Sequence, residues 1–384
     1  MTIRFLVIAI AILCSKISYS YPNYISYGYQ SCLTCHYNPY GNGPLTDYGR
    51  ALSATEISDR LFTPPEVSED EIAEKSSFLG REPVVEWLRP SLSYRSLLLS
   101  KNFGDDDQKE EFILMDVSAA LVAKFLQNDK LILVGQIGYA PVPRAVKGSD
   151  DMKTYRSREH YFGYRITKEI GVYAGLMDKV FGIRVPDHIA FSRTMTGLTQ
   201  NDQAHGVLFH YFNKYFETGL QPFVGNLVQD ESLRQKGVTG QFEVTLSERA
   251  RVGMSGLSSK SEFLEMLMYS YHARLGLGQG NSLLAEMGEV GRTNVESEER
   301  KVSQYVFTQT HYHLKRGLWS LLTTEVLRAD KTIKAYTYRL GPGVQWFPLR
   351  GIELRADAYN SHQISEDKKD TKSWDLTTQL HLYL

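Results

Sequence analysis

Two thiols and an imidazole fall together in Ser31-Cys32-Leu33-Thr34-Cys35-His36. Two cysteines with two residues between them can each add to one vinyl group of a single haem. A histidine directly after the second cysteine then falls beneath the ring and binds iron on the proximal side. Tetrahedral zinc asks for four ligands, usually with a second Cys or His pair. A disulfide or redox Cys-x-x-Cys would use the thiols alone, leave His36 without a role, and call for a βαβ setting that the surrounding residues lack. The expected cofactor is one covalently bound haem c, with Cys32 and Cys35 as attachment points and His36 as the proximal iron ligand.

The elements around the motif must deliver it to an oxidising compartment and enclose it. Residues 1–20 read as a signal peptide: Arg4, an apolar run from Phe5 to Leu13, and a small-x-small site at Ser18-Tyr19-Ser20. That run is too short to span a bilayer. Of the three cysteines, Cys14 falls in this leader and the other two are in the motif, so no structural disulfide framework is available.

Residues 21–80 read as a haem-binding segment. Tyr37-Asn38-Pro39-Tyr40-Gly41-Asn42-Gly43-Pro44 is turn-rich. Pro39 is placed to let a backbone carbonyl orient the proximal imidazole. Leu45 to Ile57 reads as a short helix ended before Pro64-Pro65, and Glu66 to Glu74 as another, with Ser68 as its cap and Glu71 completing the capping box. A segment of about 60 residues is marginal as an independent core. The rest of the haem pocket must come from elsewhere.

From residue 84 to 384 the pattern changes to strands of period two. In Ile352-Glu353-Leu354-Arg355-Ala356-Asp357-Ala358 apolar and charged residues alternate without exception. Short turn signals alternate with longer polar loops, such as 101–110, 143–156 and 360–372. Tyrosine (24) and phenylalanine (17) are abundant, and no later apolar run is long enough for a membrane helix. The expected fold is all-β: a transmembrane antiparallel β-barrel of roughly 14 to 16 strands. The chain closes on a strand with Trp374, Leu376, Leu380, Leu382 and Leu384 on one face, like the C-terminal signal that outer-membrane assembly machinery reads. A net charge of −1 gives no electrostatic footprint for nucleic acid.

The chain resembles a group of bacterial outer-membrane proteins that join an N-terminal mono-haem motif to a porin-like barrel. The resemblance rests on Ser31 to His36, then Asn38-Pro39, Gly41, Gly43, Leu45-Thr46 and Tyr48-Gly49-Arg50. A second patch is Gly182-Ile183-Arg184-Val185-Pro186-Asp187-His188 with Phe191 and Arg193. It implies a haem held in or at the mouth of a barrel in the outer membrane. Outer-membrane lipid, the cytochrome c maturation machinery, the barrel-assembly machinery and periplasmic or surface cytochromes are then the expected partners.

Alternation sorts the remaining candidates. His311, His313, His381 and Met177 fall on the lumen-facing side, and His160 on the lipid-facing side. Inward Arg165, Arg249, Arg251, Arg339 and Arg355 facing Glu159, Glu243, Glu353 and Asp357 suggest a salt-bridged lumen. The one long central stretch without alternation is 180–204. If it folds inward, Arg184 and Arg193 can pair with haem propionates, and His188 is the candidate distal ligand. Electron transfer or redox sensing is the first functional expectation. The alternative is a transport porin in which the segment serves as plug or gate. Nothing assembles a distal acid–base site, so an enzyme is not expected, and a peroxidase-like haem enzyme is the third and lowest-ranked reading.

Overall fold

The computed structural model describes residues 22–61, 63–64, 66–83, 85–141, 153–187, 189–199, 201–367 and 369–384. The leader expected at 1–20 and the candidate ligand His188 lie outside the described residues.

Sixteen antiparallel strands among these residues, from β1 (Leu88–Lys101) to β16 (Asp370–Tyr383), close into one barrel. Closure pairs β1 with β16, with Arg95 opposite His381. A closed barrel leaves no unpaired edge, which is what a strand protein in lipid requires. Side-chain alternation is inverted relative to a soluble protein. In β15 (Ile352–Ile364), Glu353, Arg355 and Asp357 are buried in the lumen. Leu92, Leu121, Leu133, Phe162, Leu340 and Trp374 are exposed on the outside, as a lipid-facing belt demands.

The expected strand pattern needs three corrections. The stretch 360–372 is mostly strand: residues 360–364 pair with 336–340, leaving only 365–369 as loop. Arg249 lies in the two-residue turn between Ser247 and Ala250 rather than inside a strand. In β2 (Lys109–Phe125) the register skips Met115, opposite Arg95 and Ser96, so Met115 and Asp116 are both buried and a simple parity reading fails there.

The two ends of the barrel differ. One carries tight turns, at 248–249, 316–317 and 350–351; the other carries the long connections 178–203 and 224–235. The N-terminal segment sits in the tight-turn end. It contains short 3-10 turns at Pro22–Tyr27 and Cys32–Thr34, helix α1 (Asp47–Leu52) running into a π-turn at Ser53–Ile57, and helix α2 (Glu69–Glu74). Thr46 caps α1 by accepting from the Gly49 N–H at 3.0 Å. Ser68 caps α2 by accepting from the Glu71 N–H at 3.2 Å. The segment has no core of its own: Tyr24, Tyr29, Cys35, Leu52 and Ile57 pack with Trp319, Leu321 and Phe347 of the barrel wall.

Candidate functional site at the CxxCH segment

The 3-10 turn at Cys32–Thr34 brings the motif together. The His36 N–H donates to the Cys32 carbonyl at 2.9 Å, folding thiols and imidazole onto one side. The next residues then reverse the chain. Gly41, Asn42 and Gly43 all have positive φ (79°, 69° and 64°), a run that suits glycine and asparagine. It ends where Leu45 forms a bridge back to His36. Helix α1 closes over Cys35 at Gly49, where a Cβ would come 2.9 Å from the Cys35 Cα. Only glycine permits that approach.

The barrel wall fixes the motif from the other side. The Gln30 carbonyl accepts from Arg251 Nη1 at 2.7 Å and Arg274 Nη2 at 3.0 Å. Ser31 Oγ donates to Glu217 at 3.1 Å. Glu217 and Glu243 ion-pair with the same arginines, with His210 and His272 alongside. This cluster is buried, so each charge is answered in place. Tyr40 packs edge-on to His210, 5.6 Å between ring centres.

Between segment, wall and the inward-folded connection 178–203 lies a cavity of about 320 Å³. Cys32, Cys35, His36, Pro39, Arg184 and Arg193 all line it, so the structure brings every described site residue expected from sequence to one place. Neither Cys32 nor Cys35 is in a disulfide among the described residues. Burial, with Glu217 and Glu243 nearby and Arg274 opposing, pushes the Cys32 thiol up to about 12. A redox dithiol needs a stabilised thiolate, so this environment disfavours that use. Burial holds the His36 imidazole down to about 4, leaving it neutral as a metal ligand must be. Its Nδ1 is buried without a hydrogen-bond partner. The left-handed turn after Pro39 brings the Gly43 and Asn42 backbone to the ring, where it partly offsets the burial effect. Two cysteines outside any disulfide, a neutral buried imidazole and an adjoining cavity fit a covalent haem.

The arginines divide into two kinds. Arg184 pairs with Asp178, so its charge is already answered. Arg193, on helix α3 (Phe191–Thr196), is buried and its Nε has no partner. Burial and then the adjacent Arg184 hold it down to about 10. Two further cavity arginines escape a sequence reading. Arg50 Nη2 donates to the Pro90 carbonyl at 2.6 Å, and Arg95 Nη2 to the Pro186 carbonyl at 2.9 Å. Each keeps one buried nitrogen unpartnered. Arg50, beside Gly49 in the motif-like patch, was in view without an assigned role; Arg95 shares its strand face with apolar Leu97 and Leu99 and so does not read as part of a charged lumen. Of the inward histidines, His311 is buried away from the cavity, His313 packs on Trp319, and His381 lines the cavity.

No family model matches the chain, and no curated protein matches it. Solved structures do. A loop-deletion mutant of OmpT from Vibrio cholerae aligns over 77% of this chain and 99% of its own, at 11% identity and a TM-score of 0.61. The outer-membrane channel DcaP of Acinetobacter baumannii aligns over 77% and 97%, at 13% identity and 0.56. An anion-selective porin from Comamonas acidovorans aligns over 77% and 99%, at 9% identity and 0.55. The chain has the fold of bacterial outer-membrane porins.

Proposed function

We propose that this chain is a transport barrel of the bacterial outer membrane, with residues 22–80 serving as a plug at its periplasmic end. The observation that carries the reading is the seating of that segment inside the tight-turn mouth of a porin-type barrel. Tight turns mark the periplasmic end of such barrels, and their polar lumens carry water and solutes. From the opposite end, the connection 178–203 narrows what the segment leaves open. The charged lumen suits hydrophilic solutes and gives no grip to apolar ones. The test is conductance of the full chain in planar lipid bilayers. A small resting conductance that rises reversibly in moderate urea, as the segment loosens before the barrel unfolds, is expected. A wide-open pore at rest, or no conductance in any state of the segment, overturns the plug reading.

The cavity favours a second reading that can coexist with the first. The plug would carry one haem c, held by thioethers from Cys32 and Cys35, with His36 on the iron and Arg193, Arg184 or Arg95 beside the propionates. Bound there, haem supplies a one-electron couple for electron transfer or redox sensing. The protein's part is to exclude bulk water with the Tyr24–Trp319 cluster, orient the His36 ring and present cationic nitrogens to carboxylates. The hydrocarbon layer is about 30 Å thick, so a transmembrane relay from one haem needs partner cytochromes. Absorption spectra of membrane-extracted protein, with and without dithionite, test this. Wild type is expected to show c-type bands and His36→Ala a disturbed spectrum; wild type without covalent haem ends the reading.

A further inference from the structure

We propose that His381 is the second axial ligand of the iron, an assignment that rests on the covalent-haem reading above. Among the described residues, the cavity beside the Cys-x-x-Cys-His segment is lined by two imidazoles, His36 and His381. One comes from the segment and one from β16.

His381 is built as a metal-binding histidine is built. It stands opposite Glu353 in the register of β15 and β16. Its Nδ1 lies 3.0 Å from Glu353 Oε2, and the other oxygen of that fully buried carboxylate accepts from Gln345 Nε2 at 2.7 Å. With Glu353 ionised, Nδ1 must donate. Nε2 is then the ring nitrogen left for a metal. A carboxylate on the far nitrogen sets ring orientation and raises ligand basicity. The ring is also packed: it lies 5.0 Å from the Tyr383 ring. The Tyr383 hydroxyl meets Ser53 Oγ at 2.9 Å, next to helix α1 of the haem segment. The ligand and the segment are thus tied to each other through one neighbouring residue.

The other candidates are otherwise engaged. His210 and His272 give Nε2 to Glu217 and Glu243 and do not line the cavity. His311 does not reach the cavity. Lys179 lines it but is ion-paired to Asp202 at 2.5 Å. No methionine is among the lining residues.

The experiment uses the full chain, matured with c-type haem machinery and purified in detergent. Haem staining after denaturation reports covalent attachment, and absorption and electron paramagnetic resonance report spin state. The expected result is a low-spin wild type, a stained but high-spin His381→Ala, and recovery of the low-spin spectrum on adding imidazole. His381→Met keeps a ligand and a folded strand, and is expected to show the near-infrared band of a thioether-bound iron. Glu353→Gln is expected to stay stained with a raised high-spin fraction. A high-spin wild type, or low-spin spectra unchanged in both His381→Ala and His381→Met, overturns the assignment while leaving covalent haem in place. Wild type without stained haem overturns the haem reading, and the assignment falls with it.

Discussion

Two insertions fill this lumen from opposite ends, and they are held in different ways. The connection 178–203 is tied at both ends to strands, and buried wall side chains grip its backbone. Gln221 accepts from the Val180 N–H at 2.9 Å, Ser255 from Gly182 at 3.0 Å, Glu286 from Ile183 at 2.7 Å and Glu325 from Phe191 at 2.6 Å. The Tyr359 hydroxyl donates to Asp187 at 2.6 Å. Residues 22–80 join the barrel at one end only, before β1. Their buried hold is at Gln30 and Ser31, in the Tyr24–Trp319 cluster, and through Asn42 to Glu159 and Asp178, Arg50 to the Pro90 carbonyl and Ser53 to Tyr383. Much of the remainder is rim contact: Lys315 with Asp59, Arg316 with Ser58 and Glu69, Arg350 with the Lys75 carbonyl. The comparison teaches that one insertion is a fixed part of the lumen wall and the other is a body docked into it. A fixed constriction and a detachable plug need different chemistry, and each has the appropriate kind.

The comparison is broken most forcefully at Arg251. This arginine holds the Gln30 carbonyl and answers both Glu217 and Glu243. Arg251→Met leaves buried carboxylates underpaired, a change that costs about 3–5 kcal/mol. The expected outcome is a lower urea midpoint in micelles and proteolytic cleavage within 22–80 before any cleavage of the barrel. Glu217→Gln added to Arg251→Met is expected to recover part of the loss, because the two residues share one network. Additive losses would show that the cluster does not act as a unit.

The two insertions also differed in how far the sequence revealed them. The fold was legible because lipid and water impose strict alternation, as in Ile352 to Ala358. Cys32, Cys35 and His36 were legible because their spacing is local. Arg193 was placed by its position in a stretch without alternation. What was hidden depends on register across distant strands. Nothing near His381 in the chain announces Glu353, and only pairing of β15 with β16 sets them side by side. Arg95 was concealed because Leu97 and Leu99 share its buried face, so that strand does not read as part of a charged lumen. The Gly49 contact with Cys35 shows in sequence only as a glycine within a helical stretch, with no sign of what approaches it.

A second substitution sharpens the other half of the comparison. Glu286 Oε2 accepts from the Ile183 N–H and Oε1 from the Tyr305 hydroxyl, both at 2.7 Å. Glu286→Ala strands two buried donors, at about 1–3 kcal/mol each. The expected readout is local: hydrogen exchange at 180–187 accelerates and single-channel conductance becomes noisier, while the plug segment keeps its protection. Loss of protection at 22–36 in the same variant would mean that the two insertions are one cooperative body, and the distinction drawn above would be wrong.

The smallest effect is expected at the rim. Arg316 Nε donates to the Ser58 carbonyl at 2.8 Å and Nη1 to Glu69 at 3.1 Å. Exposed pairs of this kind contribute about 0–1 kcal/mol and are screened by salt. The hydrogen bond from Lys315 holds the Asp59 carboxyl below its ordinary value. Burial works to raise Glu69, but hydrogen bonds from Arg60 and Arg316 outweigh it and lower that carboxyl too. Both folded-state values are depressed, so this hold is complete above the ordinary carboxylate range. It is lost as pH falls through the lowered values, when the carboxylates take up protons. Plug opening in bilayers should therefore become slightly more frequent in acid and at high salt. Arg316→Ala should open more at neutral pH and respond less to both. A variant with the full salt and pH response of wild type would show that the rim contacts do not hold the plug and that its buried contacts do.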